Sequence, residues 1–474
     1  MDFDKDLSAR QEARTLCRRA AEAQKILGRM SQAQLDKICQ TISLRFSAAA
    51  ASLAEMAVKE TGFGNKEDKI TKNRFASEMV WTAIRDMKTV GLLSEDPQKK
   101  LWDIGVPVGV IAAIVPSTNP TSTICYKAMI ALKAGNSIVF SPHPKAMGCS
   151  LQAAKIVAEA AKEAGAPDGC VNCLTKGAMA GTQELMSAPE VKLILATGGP
   201  GMVRSAYSSG KPAIGVGAGN GPAYIHHSAD VSLALEHILR SKNFDHGTVC
   251  ASEQSIIIEK SMEEKVVAAA SKMGYYFMSS VEAAKLAKLL FRPNGALNPD
   301  VVGKPATHLA DMAGFKIPSN TQILVAREQE AGPTRPYSME KLCPVLAFYV
   351  MEKEQKVLEK VVEVLSHEGS GHTFAMHCND RAVIERFALT VPVSRFLVNT
   401  PAALGGIGYS TSLFPALTLG CGAVGGSSSS NNISPMDLIN IRKVAWDQKK
   451  ENENPAVDQN LVDLLTAKIL ERLK

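Results

Sequence analysis

GVPVGVIAAIVPSTNPTSTICYKAMIALKAGNSIVFSP, residues 105–142, decides the fold because two short β-branched runs flank a helical one. VGVIAAIV and NSIVF are bounded by Gly, Pro and Asn and lack polar alternation, as strands buried on both faces do. TSTICYKAMIALKAG opens on Thr and Ser and stops at Gly135, as a helix does. Strand, helix, strand in this order is the unit of a parallel sheet with covering helices.

The same alternation continues outward. SLQAAKIVAEAAKEAGAP is followed by VNCLTK, and VKLILATG follows another helical stretch. A second α/β block is expected from residue 242, with SIIIE, TQILVAR and PVLAFYVM as strands and KVLEKVVEVLSHE as a helix. Upstream, the first ninety residues carry a helical period. FPALTLGCGAVGGSSSSNNISPM is expected as an ordered loop, and MDLINIRKVAW as a strand at a sheet edge or a subunit interface. Beyond the polar run DQKKENENPAVDQ, NLVDLLTAKILERLK repeats leucine and isoleucine near helical spacing, a short helix that needs a partner for its apolar face.

Bulk properties exclude several classes of function. The 474 residues are 46% hydrophobic and 21% charged, ordinary for a globular chain. The net charge of +6 is dispersed and aromatics make up only 5%, so neither a basic face nor a stacking platform for nucleic acid is expected. No run approaches the length of a membrane span, and MDFDKDLSARQEAR has no apolar signal-peptide core. The ten cysteines are therefore expected as reduced thiols of a cytoplasmic protein. Cys170 and Cys173 form a lone CxxC without a second pair, so no metal site is expected.

Three stretches carry chemistry. In VPSTNPTST, Asn119 follows a buried strand just before a helix, where its amide could donate to a developing oxyanion or simply form a turn. In LATGGPGMVRSA, a strand ends in TGG and leads into a helix, placing backbone N–H groups where a phosphate could bind; PAIGVGAGNGPAYI is a second glycine-rich loop. In FDHGTVCASEQ, Cys250 sits beside Gly247 and Thr248, a nucleophile presented by a loop or one more buried thiol. His246, four residues earlier, reads as solvent-facing.

Taken in order, PSTNP, FSPHPKA, ATGGPGMV, GVGAGNGPA, FDHGTVCASEQ, MEKLCPVLAF and GHTFAMH resemble the aldehyde dehydrogenase superfamily in its CoA-acylating branch, from about residue 5 to about residue 447. The likeness is to the acetaldehyde and propionaldehyde dehydrogenases of bacterial microcompartments and to the aldehyde-oxidising half of bifunctional aldehyde/alcohol dehydrogenases. It implies an α/β aldehyde dehydrogenase fold: a Rossmann-like cofactor domain with N-terminal helices over 1–241, an α/β catalytic domain over 242–430, an oligomerisation strand over 431–447, and a linker with an amphipathic helix over 448–474.

The resemblance also implies roles. Cys250 matches the nucleophile and Asn119 the oxyanion amide. Thr197, Gly198, Gly199 and Pro200 match the loop beneath the cofactor pyrophosphate, Ser141, Pro142 and His143 the stretch at the adenosine ribose, and Glu340 a carboxylate at the nicotinamide ribose. Val216, followed by Gly217, stands where water-using relatives carry a glutamate in ELGGK. Without that base, hydrolysis of an acyl-enzyme lacks its general base, whereas a thiol acceptor ionises near pH 8.5 and needs less help. The implied reaction is oxidation of a short aldehyde, acetaldehyde or propionaldehyde, with NAD, and acyl transfer to CoA. In FSPHPKA the lysine often found at the ribose has no counterpart and Pro144 replaces an acidic residue, which leaves NADP open. Rivals are a sulfoacetaldehyde dehydrogenase using Arg204 and Lys211, a hydrolytic aldehyde dehydrogenase, and an acyl-phosphate reductase. A homodimer or tetramer is implied. Residues 458–474 resemble peptides that direct enzymes to a microcompartment shell or to co-cargo, the alternative being a helix that caps the fold.

Overall fold

The computed structural model describes residues 4–447 and 458–473. The chain opens on helices: Lys5–Leu27, Gln32–Ala48, Ala50–Thr61 and Lys66–Arg74. Helix Lys5–Leu27 buries Ala9, Ala13, Cys17, Ala20 and Ala23, a stripe of small side chains that allows close approach to the sheet beneath. Ser31 starts the next helix with a capping box, its hydroxyl accepting from the Gln34 N–H while the Gln34 side chain accepts from the Ser31 N–H.

Two parallel sheets follow. The first has five strands in the order Val171–Cys173, Ile138–Pro142, Val110–Val115, Val191–Thr197, Ala213–Val216. The opening stretch of sequence supplies its centre: Val110–Val115 and Ile138–Pro142 are buried throughout and pair in parallel, joined by helix Pro120–Lys133, which is itself buried along its whole length. The chain leaves Val110–Val115 on one side and returns on the other with Val191–Thr197. That reversal makes a crevice at the carboxyl ends of these two strands, where α/β sheets bind ligands.

The second sheet has seven parallel strands in the order Tyr275–Phe277, Ile323–Arg327, Val345–Met351, Ser255–Glu259, Pro222–Ile225, Gly371–His377, Val393–Val398. Strand Pro222–Ile225 thus belongs with the catalytic strands, and the expected boundary at residue 241 is corrected to the glycine-rich loop before 222. Four buried apolar residues look alike in either sheet; only the non-local pairing with Ser255–Glu259 and Gly371–His377 assigns them.

A three-stranded antiparallel sheet joins Gly91–Asp96, Leu101–Pro107 and Ile439–Ala445. The last strand therefore pairs within its own chain, from Ile439 opposite Pro107 to Ala445 opposite Leu101, and it forms an open edge with most side chains exposed. The expected linker at 448–457 lies outside the described residues. Helix Gln459–Arg472 buries none of its side chains.

Asn136 ties this small sheet to the cofactor sheet. Fully buried, it accepts from the Gly109 N–H at 2.9 Å and donates to the Leu438 carbonyl at 2.8 Å. Asn136→Ala orphans two buried backbone groups, so urea unfolding is expected to show a loss of ~2–4 kcal/mol. An unchanged midpoint would mean that water replaces the amide.

Candidate active site

The carboxyl ends of the first sheet and the amino ends of the second meet at the site, each contributing one loop. Asn119 occupies the N-cap of helix Pro120–Lys133, yet its side chain caps nothing. An N-cap asparagine ordinarily accepts from the N–H of the second or third helical residue, but here a buried ammonium group takes the amide oxygen. The amide turns elsewhere. Its Oδ1 accepts from Lys72 Nζ at 2.6 Å, and its Nδ2 donates to Thr118 Oγ1 at 3.1 Å and, at 3.4 Å, to the Thr248 carbonyl.

Lys72 is buried, and besides Asn119 it contacts Asp245 Oδ2 at 2.5 Å and Thr248 Oγ1 at 3.0 Å, which uses all three ammonium hydrogens. Lys69, equally buried, donates to Asp245 Oδ2 at 2.8 Å and to the Thr118 carbonyl at 3.1 Å. Burial opposes ionisation of Asp245, but the two ammonium groups prevail and hold the carboxyl below its usual range. Burial pulls Lys72 down to about 8 against the attraction of Asp245. Asp245 and His246 both adopt positive φ, 50° and 51°. This turn half-buries His246, against the expectation of a solvent-facing side chain.

Five residues after Asp245, Cys250 is half-buried and packs against the core of the first domain. Burial pushes its thiol up to about 12 and Glu340 adds to the shift, while the Arg395 charge and the Cys250 N–H pull it down. Gly219 explains the glycine-rich loop opposite: a β-carbon there would lie 2.0 Å from the Cys250 carbonyl oxygen and 3.1 Å from His372 Cε1. Only glycine permits this contact. His372 is fully buried, with Nδ1 on Thr373 Oγ1 at 2.9 Å and Nε2 without a hydrogen-bond partner. Burial, helped by Arg395, lowers it to about 3, so the ring stays neutral. Arg395 donates to the Gly420 carbonyl at 2.7 Å, a buried cation that acts on both Cys250 and His372.

The remaining sequence candidates fall around the crevice. Thr197 ends its strand with a buried Oγ1 that has no partner, and Gly199 caps helix Pro200–Tyr207. Around Gly199 and Gly201 there is open space where a side chain would stand. An unpaired hydroxyl, bare backbone and a helix N-terminus fit a cofactor pyrophosphate. Gly198 lies in the same turn. A cavity of about 290 Å³ joins Pro200 and Gly217 to Glu368 and Cys421. Ser141 and Pro142 are buried at the end of their strand, where Ser141 Oγ meets Thr182 Oγ1 at 2.8 Å, and His143 is exposed. Val216 is buried and offers no carboxylate. Glu340 accepts from the Gly219 N–H at 2.9 Å, and burial with Glu368 nearby pushes it up to about 8. Arg204 is exposed on its helix, so the site gains no evident cation for a sulfonated substrate from it.

Lys69, Lys72, His372 and Arg395 were not among the sequence candidates. GHTFAMH was visible as a motif that begins the strand beside Cys250, and a histidine entering a buried strand was the available signal for His372. The lysines sit in a charged helical repeat, KEDKITKNR, that reads as a solvated face.

Residues 5–274 match the model of the aldehyde dehydrogenase family. The bifunctional aldehyde-alcohol dehydrogenase AdhE of Escherichia coli (strain K12) is 43% identical over 439 residues, 92% of this chain and 49% of that protein. The chain thus spans about half the length of the curated bifunctional relatives it matches. Among solved structures, a probable aldehyde dehydrogenase from Listeria monocytogenes EGD-e superposes with a TM-score of 0.93 at 52% identity, covering 95% of this chain and all of that one. An acetylating aldehyde dehydrogenase from Geobacillus thermoglucosidasius superposes with a TM-score of 0.92 at 47% identity, covering 94% and 99%. The chain belongs to the aldehyde dehydrogenase family, and its two parallel sheets are the α/β fold of that family.

Lys72 orients the Asn119 amide and supplies positive charge behind it. Lys72→Met is expected to lower kcat for aldehyde oxidation by ~10–100-fold and to remove an ionisation near pH 8 from the kcat profile. Lys72→Arg, which keeps the charge, should recover part of the loss. Equal loss in both variants with an unchanged pH profile would show a merely structural role.

Proposed function

We propose that this chain is a CoA-acylating aldehyde dehydrogenase that oxidises a short aldehyde, acetaldehyde or propionaldehyde, with NAD. The observation that carries the reading is buried, apolar Val216, which aligns with a water-activating carboxylate of hydrolytic relatives and ends its strand just before a loop that rests against Cys250 through Gly219. The likeness to an acetylating enzyme across nearly its whole length supports the same acceptor.

In this reading the Cys250 thiol loses its proton to solvent as substrate binds, and the thiolate sulfur bonds to the aldehyde carbon. The alkoxide lies between the Asn119 Nδ2 donor and the Cys250 N–H. Lys72 holds the amide in that orientation. The nicotinamide, when bound, accepts hydride. Thr197, Gly198, Gly199 and Pro200 hold its pyrophosphate, Ser141, Pro142 and His143 border the adenosine ribose, and Glu340 stands toward the nicotinamide ribose. What remains on the protein is a thioester at Cys250. The CoA thiol then attacks this thioester, the acyl group moves from one sulfur to the other, and the Cys250 thiolate leaves. The open edge Ile439–Ala445 suits pairing in a homodimer or tetramer.

The C-terminal helix supports a second part of the proposal. Leu461, Leu464, Leu465, Ile469, Leu470 and Leu473 are all more than half exposed. We infer that residues 458–474 dock this apolar stripe on a microcompartment shell or co-cargo protein. Among the described residues no helix is long and apolar enough to cross a membrane.

An NADH-production assay over a panel of short aldehydes, with and without CoA, tests the function. Sustained turnover is expected only with CoA, with acyl-CoA as product, and Cys250→Ala should reduce it by at least ~10⁴-fold. Carboxylate release without CoA would favour the hydrolytic reading. For the tail, residues 448–474 fused to a fluorescent protein should form foci in a compartment-forming cell, and diffuse fluorescence would refute targeting.

A further inference from the structure

The end of the catalytic sheet opposite Cys250 holds a second group of chemistry-bearing side chains. Strand Pro222–Ile225 runs straight into His226 and His227, and its neighbour Ser255–Glu259 ends on Glu259. Cys250 precedes the amino end of the latter strand. At ~3.3 Å per residue, its length keeps the two places roughly 15 Å apart.

One ring nitrogen from each histidine and one Glu259 oxygen lie within 4.8 Å of one another. His227 Nδ1 is 3.3 Å from Glu259 Oε1. Two ligands bound at ~2.0–2.1 Å to one tetrahedral ion stand roughly that far apart. Tyr224 donates to the same Glu259 oxygen at 3.0 Å and fixes the carboxylate. His226 supplies an independent sign. It is 1% exposed, Ser228 holds its Nδ1 through Oγ at 2.8 Å, and its buried Nε2 has no hydrogen-bond partner. Glu354 Oε2 is 3.4 Å from that nitrogen, and the other Glu354 oxygen is engaged by Arg386. His227, 61% exposed, opens the group to solvent.

We propose that His226, His227 and Glu259 form a binding site for a borderline divalent transition metal of the zinc or cobalt kind, with water completing its shell. Two imidazoles and one carboxylate suit such ions better than calcium or magnesium, which take oxygen ligands. His226 Nδ1 is also 3.2 Å from the Ser228 N–H that donates to it and 3.4 Å from Cys378 Sγ, so binding through Nε2 requires Nδ1 to take the proton and turn it toward Ser228 Oγ. The ion links two adjacent strand ends and does not touch the Cys250 chemistry. Sequence spacing gives no sign of it, because the donors come from two segments more than thirty residues apart.

Cobalt(II) titration of the reduced full-length chain, followed by visible absorption, tests the site. One equivalent is expected to give low-symmetry d–d bands without thiolate charge-transfer bands, and excess Zn2+ but not Mg2+ should displace it. His227→Ala and Glu259→Gln should each weaken binding by ~10-fold or more while CoA-dependent aldehyde oxidation stays unchanged. Thiolate bands, or an affinity that neither substitution alters, would overturn the proposal. Displacement by Mg2+ as readily as by Zn2+ would contradict the metal class.

Discussion

The buried carboxylate of Asp245, shared by Lys69 and Lys72, is the constraint on which the active site depends. It joins three distant segments: the helix Lys66–Arg74, the turn carrying Asn119, and the loop that presents Cys250. Two ammonium groups against one carboxylate leave a net positive charge with little access to water. Such a group adds little net stability over an apolar core, because desolvation offsets attraction. Its effect is geometric. Lys72 can satisfy Asp245, Thr248 and Asn119 together only if all three segments are in place.

The two sheets then divide the work. The cofactor sheet offers the crevice where strand order reverses, with Asn119 after one of its two strands and Thr197 at the end of the other. The catalytic sheet contributes the opposite wall at its amino ends: Gly219 before one strand, Cys250 before the next, and His372 at the start of a third. Contact between Gly219 and the Cys250 carbonyl locks these loops together. Burial pushes the Cys250 thiol up, so in the proposed reaction it needs substrate and a proton acceptor before it can attack.

Much of this was legible in the sequence because it is local. Strand–helix–strand alternation around residues 105–142 gave the parallel sheet, and the glycine-rich turns and Cys250 could be placed by their flanking runs. What was not legible depends on tertiary contact. Lys69 and Lys72 carry no local signal of burial, and only the packing of their helix on the Asp245 loop buries them. Strand Pro222–Ile225 was placed in the wrong sheet because strand order is a long-range property. Ile439–Ala445 was expected as a strand at a sheet edge or a subunit interface, and its partner Leu101–Pro107, more than three hundred residues away, could not be read locally.

In the proposed reaction the acyl group rests on Cys250 until a thiol, not water, removes it. Pre-steady-state mixing of the enzyme with NAD and acetaldehyde in the absence of CoA tests this most directly. The expected result is a burst of one NADH per active chain that then stops, with an acetyl adduct on the Cys250 peptide that disappears when CoA is added. Continued NADH formation without CoA, or a burst with the adduct on another residue, would contradict it.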